Sequence, residues 1–76
     1  MQEMQVALSN TVNMLDILIS IINHDIEILT DIEKVDTNKT DVVIEKIFKN
    51  YIREKLTDMK KDVIHCIELE YSRNAK

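Results

Sequence analysis

The sequence predicts an all-α fold: two long antiparallel helices, at about 2–35 and 40–72, forming one helical-hairpin domain over 1–76 that associates into a four-helix bundle or similar coiled-coil oligomer. Three observations lead there. The 76 residues include no glycine and no proline, so the chain lacks the residues that supply φ > 0 or preset turns, and tight hairpins, bulges and phosphate-cradling loops are hard to build. Its apolar residues recur at helical spacing, which outweighs the strand propensity of 12 isoleucines and 6 valines. The pattern breaks once, in the middle.

The first arm carries two apolar seams. With heptad position a at Met1, positions a and e hold Leu8, Val12, Leu15, Ile19, Ile22, Ile26 and Leu29. They step alternately by four and three, the signature of a left-handed helix pair. Beside them run Met4, Ala7, Met14, Leu18, Ile21, Ile28, Ile32 and Val35, interrupted by Thr11 and Asp25. The arm is thus apolar over more than the roughly 100° of an ordinary surface helix. Asp25 is expected either at a solvated bundle edge or as a polar contact that fixes register across an oligomer axis.

Between Asp36 and Asp41 no large apolar residue occurs, and aspartate, asparagine and threonine offer several caps. A turn is expected here, with Asn38 or Asp36 taking any left-handed position, since both tolerate it without glycine. The second arm is expected to bury Ile44, Phe48, Ile52, Leu56, Met59, Val63 and Ile67, whose steps lie nearer an eleven-residue than a seven-residue repeat. Ile47, Tyr51, Cys66 and Tyr71 would flank that stripe, and Lys46, Lys49, Arg53, Glu54, Lys60, Lys61 and Glu68 would face water.

Two helices meet along one line, which leaves the second seam of the first arm uncovered. Association follows as the economical remedy, a homodimer most simply, with a larger helical partner as the alternative. The expected oligomer core is Leu8, Val12, Leu15, Leu18, Ile19, Ile21, Ile22, Ile26, Ile28 and Leu29 with Phe48, Ile52, Leu56, Met59, Val63 and Ile67.

Several classes are disfavoured. A lone cysteine, Cys66, rules out an intramolecular disulfide framework and is expected to be a small buried hydrophobe beside Ile67. The apolar run Met14 to Ile22 contains Asp16 and Ser20 and reads as too short and too polar for a membrane span, and the amino terminus lacks the basic region of a signal peptide. The expectation is a soluble, cytoplasmic protein that acts on no small-molecule substrate and needs no cofactor. His24 precedes Glu27 and His65 precedes Glu68 by three residues, and Asp62, His65 and Cys66 share a helix face. Neither set matches the Glu-then-His order of di-metal bundles, so both histidines are expected at the surface without metal. Adjacent residues on a helix do not face each other, so His65 is not placed to activate Cys66, and no catalytic role is expected. Asn38-Lys39-Thr40 is expected to be a turn rather than a glycosylated site.

Charge is unevenly divided: residues 1–36 hold seven acidic groups and Lys34, whereas residues 37–76 hold nine basic and seven acidic ones, giving −6 and +2 within the total of −4. Opposite arms favour antiparallel pairing. The resulting function is a non-catalytic helical protein–protein interaction module, an adaptor, assembly factor or small regulator, with Tyr51, Arg53 and Tyr71 as candidate partner contacts because tyrosine and arginine are enriched at interface hot spots. Lys46, Lys49, Arg53 and Lys60 also line up along one side of the second arm. In plan the chain resembles the small plasmid copy-control proteins of the Rop type, and this resemblance implies the alternative, a four-helix bundle that grips nucleic acid.

Overall fold

The structure, a computed structural model, describes residues 2–35 and 40–74. They form two helices, α1 (Gln2–Val35) and α2 (Thr40–Asn74), packed side by side, with no strand among the described residues. The expected bounds hold, with α2 two residues longer. Each helix has an acidic residue in its first turn, Glu3 and Asp41, and a basic one in its last, Lys34 and Arg73, so all four complement the backbone dipoles. The expected turn geometry and caps at Asp36–Lys39, and the reading of Asn38-Lys39-Thr40 as a turn, fall on positions outside the described residues apart from Thr40, which opens α2.

Leu8, Val12, Leu15, Ile19, Ile22, Ile26 and Leu29 form the inward face of α1 as expected, with Leu15, Ile26 and Leu29 buried and the others half-buried. Thr11 and Thr30 remain compatible with the helix because each hydroxyl donates to the carbonyl four residues earlier, Ala7 and Ile26, at 2.8 Å.

The inward face of α2 differs from the expected stripe. Val42, Lys46, Lys49, Arg53, Leu56, Lys60, Val63 and Ile67 turn toward α1, all half-buried. Ile44, Phe48 and Met59 are exposed instead. The reason is periodicity: a partner of α1 must follow its four-and-three alternation, and 42, 46, 49, 53, 56, 60, 63, 67 does so, whereas the 44, 48, 52, 56 series drifts around the helix. Lysine and arginine are tolerated on this seam because their stems cover apolar surface while their heads reach its rim.

The result is long and thin, 59 × 14 × 13 Å between Cα extremes, with a radius of gyration of 17.3 Å, against about 11 Å for a compact chain of this length. Among the described residues only three hydrophobic side chains are buried, Leu15, Ile26 and Leu29, and none completely, so there is a seam and no central core.

Candidate functional site

The four cations aligned on α2 are half-buried against α1 rather than turned out to water. Lys46 Nζ lies 3.1 Å from Glu33 Oε2, Lys49 Nζ lies 3.2 Å from Asp25 Oδ2, and Lys60 is paired with Asp16. Arg53 donates from Nη1 to Asn23 Oδ1 at 3.0 Å and from Nη2 to Asn50 Oδ1 at 2.7 Å. The strip thus runs along the seam between the helices, with three of its four charges set against carboxylates of the acidic arm. Each pair is partly solvated, so each contributes less than about 1 kcal/mol. Lys60→Ala is accordingly expected to lower the unfolding free energy by less than about 1 kcal/mol, and by less still in high salt, as read from urea titrations.

The pairs also define the two broad sides of the hairpin. When α1 runs away from the viewer and α2 returns on its right, right-handed helix geometry turns positions d and g of α1 to the same side as positions c and f of α2, counted on in the same heptads so that Lys46 is d and Lys49 is g. Asp25 and Lys49 meet there, and Asp25, Ile28 and Glu45 line one shallow depression between the helices. On the opposite side Thr30 and Glu33 share a depression with Lys46. That second side is polar along α1, with Asp16, Asn23 and Thr30 engaged in the contacts just described.

The first side is largely apolar. From α1 it presents Met4, Ala7, Met14, Leu18, Ile21, Ile28, Ile32 and Val35, with Thr11 and Asp25 as polar gaps, and from α2 Phe48, Ile52, Met59, Cys66 and Leu69, with Glu45, Lys55 and Asp62 interspersed. These apolar side chains are all exposed except Ile52, which is half-buried. All six expected oligomer-core residues that do not lie on the seam between the helices, Leu18, Ile21, Ile28, Phe48, Ile52 and Met59, therefore share one surface. Asp25 sits among them, half-buried and partnered by Lys49 rather than simply solvated.

The extent of this surface can be compared with what folded chains normally leave open. The hairpin exposes 5970 Å², whereas a folded monomer of this mass exposes about 4,800 Å². The excess of about 1,150 Å² belongs to the elongated hairpin as a whole, and it is more than the roughly 800 Å² that each partner contributes to a standard protein interface.

The remaining candidate residues are scattered. Tyr51 and Tyr71 are exposed, while Arg53 is half-buried and held by Asn23 and Asn50. Lys55 lies over the Tyr51 ring, 5.1 Å from its centre. Cys66 is exposed, which corrects the expectation of a buried thiol: position 66 lies beside the inward row of Val63 and Ile67, on the apolar side. His24 and His65 are both exposed, and no three of histidine, cysteine, aspartate and glutamate gather as metal ligands among the described residues.

Helix α1 is also long and apolar enough, by length and composition, to cross a membrane. Judging the run Met14 to Ile22 by itself underestimated this, because the two seams together keep charges sparse over a longer window. In the hairpin one seam is occupied by α2, and Asp16 and Asp25 are paired across it.

The chain matches no protein-family model, no curated protein and no solved structure.

Proposed function

We propose that the protein is a non-catalytic helical interaction module, an adaptor or small regulator, that self-associates through its apolar side as a homodimeric four-helix bundle. The observation that carries this reading is the predominantly apolar surface contributed by both helices on one side of the hairpin. A second copy is the occupant that fits it. The surface is straight, runs most of the length of both helices, and is self-complementary under a two-fold axis. A dimer that brought each copy's exposed area down to that of an ordinary folded monomer would bury about 2,300 Å² in all, within the range of obligate homodimers. Adaptor contacts to other proteins would then use the surface left outward, where Tyr51 and Tyr71 stand.

Nucleic-acid binding has less support, because Lys46, Lys49 and Lys60 are drawn onto carboxylates of their own chain and Arg53 onto two asparagines. Neutral apolar lipid is the other medium that could cover α1. Sedimentation and far-UV circular dichroism across a dilution series separate these readings. The expected result is a dimer whose mass and helicity fall together on dilution, with no partition into phosphatidylcholine vesicles and no mobility shift of RNA or DNA in low salt. A compact, fully helical monomer at nanomolar concentration would overturn the proposal, as would helicity that requires vesicles.

A further inference from the structure

Resting on the association just proposed, we infer that the Asp25–Lys49 pair orients the dimer: the pairs of the two copies meet head to tail across a two-fold axis that runs along the bundle, leaving both interhelical connections at the same end. The pair is the charged contact between the helices on the apolar side, Nζ to Oδ2 3.2 Å apart, with both side chains still partly open to solvent in the single chain. A second copy laid on that side removes this remaining solvent. The consequence depends on orientation. If the axis lies across the helices, α1 faces the partner's α1. The middle of α1 falls near residue 18, seven residues from Asp25, so the two pairs end about 20 Å apart along the bundle. Asp25 then lies level with the partner's Thr11, and each pair is covered singly with no second pair beside it, the costlier way to bury one. If the axis runs along the helices, α1 faces the partner's α2, and both pairs fall at one level. Each carboxylate then gains a second ammonium and each ammonium a second carboxylate, so the charges lost to water are replaced within one closed cluster. The preference has the sign of the arm charges as well, because the net −6 arm then lies against the net +2 arm rather than against its own copy.

The single cysteine reports the orientation without any added substitution. Cys66 is exposed on α2, and nine residues separate it from the middle of that helix. With the axis along the bundle, spin labels on the two Cys66 side chains share one level, and helix spacings of about 10 Å keep their attachment points within about 15 Å. With the axis across the bundle they lie about 27 Å apart along its length alone. The labelled full chain is expected to give the short separation. The swapped variant D25K/K49D, which keeps the cluster with its signs exchanged, is expected to retain it. In D25L/K49L the cluster is gone, and a mixture of short and long separations is expected, with dimer affinity unchanged or about tenfold tighter because a buried ion pair has been exchanged for apolar packing. A dimer with only the long separation overturns the inference. So does a D25L/K49L dimer as uniformly short as the unmodified chain. A chain that sediments as a monomer throughout instead removes the interface itself, an outcome visible before any distance is read.

Discussion

Ile21→Glu is expected to abolish association and, with it, most of the helicity at micromolar concentration, whereas Ile47→Glu leaves both nearly unchanged. Both isoleucines are exposed in the single chain, at 52% and 64%. By the hairpin alone the substitutions should be equally harmless, since surface changes away from special features stay within about ±0.5 kcal/mol. They differ in the side they occupy. Ile21 stands between Leu18 and Asp25 on the apolar side, and Ile47 points to the other. In a two-fold dimer each substitution occurs twice, and an unpaired carboxylate sealed in an apolar interface costs about 3–5 kcal/mol where it cannot be solvated. Even with partial escape toward water, a loss of about 4 kcal/mol per dimer raises the dissociation constant about a thousandfold.

The readout is sedimentation equilibrium paired with far-UV circular dichroism for the unmodified chain and both variants at matched concentrations. Equal behaviour of the two variants would show that no apolar contact forms on the Ile21 side. A loss of helicity for Ile47→Glu alone would place the interface on the opposite side of the hairpin.

The division between what the residues announced and what they concealed has a physical origin. The inward seam of α1 was legible because every position from Leu8 to Leu29 in the four-and-three series is apolar, so pattern and packing coincide. Residues 36–41 marked the change of helix for a similar reason, an interval with nothing to bury. The inward face of α2 was legible only in part: Leu56, Val63 and Ile67 were placed on it, but its other half is written in lysine and arginine. A hydrophobicity pattern assigns Lys46, Lys49, Arg53 and Lys60 to water, yet their stems pack and their heads reach Glu33, Asp25, Asn23 and Asp16 across the seam. The signal that could have found them was the match in period: these cations follow the same alternation as α1, and the acidic and amide partners sit at the borders of its inward stripe. The apolar side itself needed one fact beyond either helix alone. Whether the second seam of α1 and the Phe48, Ile52, Met59 flank of α2 share a side depends on which face α2 presents inward, and a wrong inward face rotates the flank away.

Ile26→Ala should show whether this seam and the proposed interface form one cooperative unit. Ile26 is 8% exposed on the inward face of α1 and does not belong to the apolar side. Truncating a buried isoleucine to alanine removes about 2–5 kcal/mol per site. If the hairpin folded by itself, the loss would appear once per chain, and the urea midpoint would not depend on protein concentration. A hairpin with three buried hydrophobic side chains among its described residues and no central core is not expected to survive separation. Folding and association should then be a single transition between two unfolded chains and one dimer, and the substitution should remove about 4–10 kcal/mol per dimer. In such a transition each tenfold dilution lowers the free energy separating dimer from unfolded chains by about 1.4 kcal/mol, for the variant and the unmodified protein alike. Urea titrations followed by circular dichroism at two concentrations a hundredfold apart provide the measurement. Parallel displacement of both midpoints on dilution is the expected outcome. Coincident midpoints would mean that the seam between α1 and α2 is stable by itself, and that the apolar side is covered, if at all, only after folding is complete.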